Sequence, residues 1–494
     1  MSPSESAARV KRFTLAACIL GSSVAMLDAT IVNVALPAIS RDLGGGLIVQ
    51  QWVVNAYALM LGALILVGGS LGDVFGEKRI FTLGVAGFGV ASLLCAVAPS
   101  GVTLIIARAV QGVMGALLTP AALAVIIATF ADDERGAAIG TWTAWGGIAG
   151  IAGPLVGGEL VTLAGWRWIF LVNVPLIAVT LLLIIRFVPV SEEQRRRRHI
   201  DTPGAVLAAL GLGGPVFALI EQPRLGWTSP GVLAPLVLGV VLIIAFVVRE
   251  RHARDPMLPL GLFARHNFAV GNIETLAMYG GLAILFFLLS LFLQEVAHWK
   301  PTEAGLATLP TTIVMFALSR RFGRLADRYG PRLFMGAGPL ICALGMVLLL
   351  RLGTRVSFIT DILPGLVVFA LGLSMTVAPL TATVLAGVQR EQAGIASAVN
   401  NAVARIAGLL GVALLGPLIG ARLSVSTFHL ALGAAAALLA GAGVLGGLLV
   451  RNPVRVVRAE DCPGGQLAGV TREAAGCGEA DVGPAARPLA AEAV

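Results

Sequence analysis

GSLGDVFGEK (Gly69–Lys78) and GRLADRYGPR (Gly323–Arg332) are two copies of one pattern, GxLxDxxGx[KR], set far apart in a chain of 494 residues. Each follows a long apolar run. Each supplies a carboxylate, a basic residue and a glycine that permits a tight turn. A second echo, GPLVG (Gly153–Gly157) against GPLIG (Gly416–Gly420), runs in the same order along the chain. The repetition points to two related halves, and the question becomes what kind of element each half contains.

Composition answers it. The chain is 57% hydrophobic and 13% charged, where a soluble domain carries about 25% charged residues. Its charges cluster between apolar runs of about 20 residues, the length that spans a bilayer as a helix. Spans are expected at roughly 14–38, 51–72, 80–98, 102–129, 137–161, 168–188, 203–221, 230–249, 267–293, 303–319, 333–351, 358–387, 393–420 and 427–450. The alternation of membrane barrel strands is absent. Both echoes then step by eight spans, which two six-helix halves with two extra helices between them explain. Internal repeats with a site at their interface are the architecture of secondary transporters. The expected divisions are 1–190, an N-terminal bundle; 191–266, a two-helix insert with its linkers; 267–450, a C-terminal bundle; and 451–494, a tail without periodicity, expected to be disordered.

The net charge of +8 does not imply nucleic acid, because the basic residues sit in short loops and act there as topology signals. One set of loops holds Lys11, Arg12, Lys78, Arg79, Arg135, Arg195 to Arg198, Arg249, Arg251, Arg254, Arg265, the arginines from Arg320 to Arg332, Arg390 and Arg451. The alternate set holds about a third as many, and the rule that positive loops stay inside places both termini in the cytoplasm of a multi-pass cell-membrane protein. The run EEQRRRRHID (Glu192–Asp201) reads as a topology anchor, or as a lipid-headgroup site. Five cysteines show no metal or disulfide spacing. No cofactor is expected.

These motifs resemble the major facilitator superfamily, and within it the fourteen-helix drug–proton antiporters, over about residues 14–450. GSLGDVFGEKR resembles the family's loop between helices two and three, matching at Asp73, Gly76, Lys78 and Arg79 and departing at Val74 and Glu77. Asp327 and Gly330 hold the corresponding places in the second copy. Arg108, Gln111 and Gly112 resemble the helix-four motif. GIAGIAGPLVGG (Gly147–Gly158), with Gly153, Pro154 and Gly157, resembles the helix-five antiporter motif. LDATIVNVALP (Leu27–Pro37) resembles that of helix one. The resemblance implies export of small hydrophobic or cationic substrates in exchange for protons, with membrane lipid as surroundings. On their own terms, the loop residues form either a conformational lock or a solvated turn. The span-five glycines give close helix packing, with a bend at Pro154.

Four charges lie well inside spans: Asp28, Arg108, Glu274 and Arg405. Intramembrane charges are costly, and they face cavities, partners or proton paths. Asp28 lies 16 residues past Arg12 and 13 before Arg41, near mid-membrane at 1.5 Å per residue. Arg108 is on a span that adjoins span one in the resembled fold. The two readings of Asp28 are a structural ion pair with Arg108 and a protonation site whose affinity Arg108 modulates. Glu274, with Met278 one turn on, is expected on a cavity face as a second protonation or cation site, or as a helix-packing hydrogen bond. Arg405 is expected to pair with Glu274 or to stabilise the second half. Asn33, Gln111, Asn400 and Asn401 line the cavity or join helices.

The resulting expectation is a proton-coupled exporter of drug-like molecules working by alternating access. An uptake symporter or facilitator on the same fold is the alternative. An enzyme or receptor fits less well, since no nucleophile motif, phosphate loop or His/Cys set stands out.

Overall fold

In the computed structural model, the structure describes residues 3–190, 201–253, 256, 258–386, 388, 392–420 and 422–452. The basic run up to residue 200, Arg254, Arg390 and the tail from residue 453 lie outside these residues. Residues up to Val450 form one compact unit, and the described residues are helical, with no strand among them.

The first group of helices is α1 (Pro3–Leu43), α2 (Gly46–Phe75), α3 (Glu77–Ala96), α4 (Gly101–Thr129), α5 (Asp132–Leu163), α6 (Trp168–Leu171) and α7 (Asn173–Phe187). Two central helices follow, α8 (Thr202–Leu225) and α9 (Pro230–His252). The last group is α10 (His266–Glu295), α11 (Pro301–Ala307), α12 (Leu309–Tyr329), α13 (Pro331–Leu348), α14 (Leu363–Ala386), α15 (Ala393–Ile419) and α16 (Val425–Leu449). Among the described residues, thirteen helical stretches are long and apolar enough to cross a membrane, α6 and α7 together making one of them. The one expected span not among them, the tenth at 303–319, is divided at Thr308 into α11 and α12. Its α12 part carries Arg320, Arg321, Arg324, Asp327 and Arg328, which lower its hydropathy.

One expectation needs correction. The two copies of the opening pattern are not loops. Gly69–Phe75 is the end of α2 and Gly323–Tyr329 the end of α12, because a helix satisfies its own backbone even where its side chains turn polar. The turn itself is a single residue in each copy, Gly76 (φ 95°, ψ 133°) and Gly330 (φ 89°, ψ 150°), in a region that L side chains rarely adopt. The likeness extends outward. Lys78 Nζ donates to Val188 O at the end of α7, at 2.6 Å. Arg332, at the matching position, donates from Nε to Gly447 O near the end of α16, also at 2.6 Å. Each cation thus meets the negative end of the last helix in its group. Eight residues past each turn, Gly84 packs on α4 and Gly338 on α14. An added Cβ would stand 2.7 Å from Leu118 N in the first case and 2.9 Å from Gly372 O in the second.

The start of α1 lies beside the end of α7, with Phe13 and Phe187 stacked at 4.4 Å, and Lys11 pairs with Glu134 at the start of α5. This is called the terminal side here, and its opposite the far side. The far-side starts of α4 and α16 are capped by hydroxyls. Ser100 Oγ accepts from Thr103 N (3.3 Å), and Ser424 Oγ from Thr427 N (3.2 Å). The central pair packs α8 on α9 through Gly211, Gly214 and Gly239. Helix α8 also touches both α2 and α15. There Trp52 Nε1 donates to Glu221 Oε1 at 3.0 Å. The outer face of α9 exposes Val237, Leu238, Val241 and Ile244, as lipid contact requires.

Candidate functional site

Helix α1 brings Asp28 into a sealed polar knot within the first group of helices. Its carboxylate forms an ion pair with the Arg108 guanidinium of α4. It also accepts from Gln111 Nε2 (2.9 Å) and Asn173 Nδ2 (3.2 Å). Arg108 donates further to Gln111 Oε1 (2.6 Å) and Val53 O (3.1 Å), and lies over the Tyr57 ring at 4.3 Å. Ser92 of α3 accepts from Gln111 at 3.0 Å. Asp28 is 0% and Arg108 1% exposed. A charge pair this deep is tolerable because Oδ2 is paired with Arg108, Oδ1 accepts from two amides, and the guanidinium has further acceptors of its own. In this conformation water does not reach the pair.

Helix α5 ties that knot to the second group. Its glycines let backbones approach. A Cβ on Gly153 would stand 3.2 Å from Leu27 O, and one on Gly157 3.1 Å from Ile31 O, both on α1 around Asp28. On an adjacent face, at the same level, the same helix meets α11. A Cβ on Gly158 would lie 2.6 Å from Thr302 Cα and 2.7 Å from Pro301 O, and one on Gly305 2.9 Å from Pro154 C. Gly147 and Gly150, by contrast, have no neighbour that a Cβ would meet. Polar contacts across the two groups lie on the same far side. Gln50 Nε2 donates to Glu295 Oε1 (2.7 Å), Gln294 Nε2 to Val34 O (3.0 Å) and Ser290 Oγ to Asn33 O (3.2 Å). Thr302 Oγ1 donates to Glu159 Oε2 (3.1 Å). Toward the terminal side, α5 leaves Thr141, Thr143 and Trp145 exposed.

The second group places its candidates differently from expectation. Glu274 and Arg405 do not pair. Arg405 of α15 faces Gly62 of α2, where an added Cβ would stand 3.5 Å from Arg405 Cβ, and it lies within electrostatic reach of Tyr57 and Tyr279. It forms no ion pair among the described residues. Met278 does not share a cavity face with Glu274. It is 2% exposed and packs in the main core, whereas Glu274, a turn earlier on α10, borders the space between α10, α15 and α16. Asn400 both joins helices and lines space. Its Nδ2 donates to Asn272 Oδ1 (3.2 Å) and Thr275 Oγ1 (2.8 Å), and with Tyr279, Thr381, Ser397 and Asn401 it borders a cavity of about 70 Å³. Asn173, Ser92 and Tyr57 were missed from the sequence. Each is an ordinary polar or aromatic residue near a span end or middle, and only the helix packing aims it at the ion pair.

The family model of the Major Facilitator Superfamily matches residues 18–412 and 275–461. Over 398 residues the chain is 40% identical to the puromycin resistance protein pur8 of Streptomyces alboniger, covering 79% of this chain and 78% of that protein. It is 32% identical over 419 residues to the tetracenomycin C resistance and export protein of Streptomyces glaucescens, covering 83% and 76%. Among solved structures, the peptide transporter POT in complex with sulfate superposes with a TM-score of 0.65 at 16% identity, covering 89% of this chain and 96% of that one. At that identity the likeness speaks to fold alone.

Proposed function

The chain belongs to the Major Facilitator Superfamily, and from that premise we propose that it exports small hydrophobic or cationic molecules, antibiotics among them, by alternating access driven by protons. The observation that carries the reading is the two-sided role of α5. Gly153 and Gly157 hold the helix of Asp28 while Pro154 and Gly158, beside them on the same turn, meet α11, so a change at the far-side seam moves the surroundings of the buried carboxylate. Relatives named for resistance and export support the substrate class and direction. Two rocking bundles, 1–190 and 267–450, bridged by α8, fit the seam. With both termini taken as cytoplasmic from the loop charges, the far side is extracytoplasmic and the seam contacts close the protein on that side. A cytoplasm-active reporter fused after Asn452 is expected to give signal; signal only from an extracytoplasmic reporter reverses the orientation.

Asp28 with Arg108 is the proposed coupling pair, with Glu274 as a second carboxylate. One proton crossing 100 mV supplies about 2.3 kcal/mol. The substrate path is assigned to the seam near Asn33, Tyr279 and Arg405, with Gln111 held behind it in the Asp28 knot. Asp73, Gly76, Lys78 and Arg79, with Asp327 and Gly330, set the balance of conformations. Asp73→Asn is then expected to slow transport severalfold and leave substrate affinity within about twofold, since uniform and conformational effects separate in this way. Loss of binding by a well-expressed Asp73→Asn protein rejects the gating role. The function itself is tested in proteoliposomes loaded with lipophilic cations or aminonucleoside antibiotics. Accumulation against the substrate gradient should appear only when a pH gradient is imposed, and its absence for the whole panel refutes the proposal.

A further inference from the structure

Helices α10, α15 and α16 enclose a second space, away from the seam and toward the membrane. It has a volume of about 520 Å³, within the range of small-molecule sites. Its wall is apolar and built of small residues, with Gly280, Ala407, Gly411, Gly441 and Gly446 among them. Its rim exposes Ile273, Leu414 and Leu438. In a membrane-embedded chain those residues meet acyl chains. At its floor stands Glu274, 2% exposed, on the third turn of α10 and therefore in the terminal-side half of the bilayer. Its Oε2 lies 2.7 Å from where a Cβ on Gly446 would stand, so that glycine leaves room for the carboxyl. Neither carboxyl oxygen has a hydrogen-bond partner among the described residues.

A buried, unpartnered carboxyl is costly, and native proteins supply a partner when the group works. Two basic side chains at the same end of α16 bond to backbone carbonyls: His266 Nε2 to Leu449 O (2.7 Å) and Arg332 Nε to Gly447 O (2.6 Å). Arg405 is held at the seam with α2. We propose that this groove binds single-chain amphiphilic amines from the adjoining leaflet, the ammonium pairing with Glu274 and the apolar chain lying along the glycine wall. Charge complementarity chooses this occupant. A phospholipid brings a phosphate that the carboxylate repels, and a neutral chain leaves the carboxyl unpartnered. A proton and an ammonium are alternative ways to neutralise Glu274, so the two ligands compete. The inference rests on the export reading only for which leaflet the amine comes from.

The test uses the full chain in phosphatidylcholine nanodiscs, with radiolabelled dodecylamine, dodecanol as the neutral control and empty nanodiscs for partitioning. Wild type should bind the amine at least about tenfold more tightly than the alcohol, and Glu274→Gln should erase that preference, as loss of one partner of a buried charge pair does. Gly441→Leu fills open space, since no atom lies within 4 Å of its added Cβ. It should abolish binding of the amine with the fold intact by thermal melt. Equal affinity for amine and alcohol in wild type, an unchanged preference in Glu274→Gln, or amine binding that survives Gly441→Leu each overturns the proposal. Binding here needs no gradient, so its failure is distinct from failure of pH-driven efflux in proteoliposomes.

Discussion

Asp28→Asn should yield a protein that folds poorly and does not pump. The exchange keeps the shape of the side chain but leaves Arg108 buried without its counter-charge, at a cost of about 3–5 kcal/mol. Gln111 and Asn173 also lose their charged acceptor. Adding Arg108→Gln removes the stranded charge, and the double variant should recover most of the lost expression and thermal stability. It should still fail at uphill efflux, because no exchangeable carboxyl remains in the first group of helices at that depth. Asp28→Glu keeps the chemistry with one more methylene in a tightly packed knot. It should retain partial activity at a stability cost of about 1–3 kcal/mol. The measurements are protein level, melting temperature and proton-driven efflux for all variants. A double variant that both folds and pumps against a gradient leaves Asp28 as a structural ion pair and moves coupling elsewhere.

Gly158→Leu should spring the far-side seam. No Cβ fits at 2.6 Å from Thr302 Cα, and packed interfaces answer such overlap by changing arrangement, not by gradual compression. An overlap cost of about 1–3 kcal/mol corresponds to a population shift of roughly 5- to 150-fold. The shift should favour the conformation in which α5 and α11 part. Ser290, which joins α10 to α1 in the closed seam, reports it as Ser290→Cys. In a background with Cys462 and Cys477 replaced by Ser, labelling by an impermeant maleimide should rise at least about fivefold in the Gly158→Leu protein, and net transport should fall to a similar degree. Gly305→Leu should act alike from the other side of the contact. Gly147→Leu, on the same helix but facing open space, should leave labelling unchanged. Equal labelling in Gly158→Leu and its parent protein rules out this contact as the gate.

The sequence by itself determined the class of protein, the order of its spans and the doubling of its halves. Apolar run length and charge placement are local quantities, and a bilayer reads them directly. The repeat was legible because a turn that needs positive φ must keep its glycine, at Gly76 and again at Gly330. Asp28 and Arg108 stood out for the same reason, as charges where hydrocarbon makes charge expensive. Span ten was harder, because α12 mixes a short apolar stretch with five charged residues, and hydropathy alone does not show where such a helix ends. Tertiary structure decided what each intramembrane group faces. It gave Asp28 three side-chain donors from two helices, turned Glu274 and Met278 to different neighbours, and left Arg405 at the seam instead of beside Glu274. It also sorted the glycines of α5 into those that carry a backbone contact and those that do not. Helical periodicity fixes the angle between side chains on one helix, but which neighbour stands at that angle depends on how many helices pack around it. That is a property of the whole bundle, and no stretch of the chain encodes it alone.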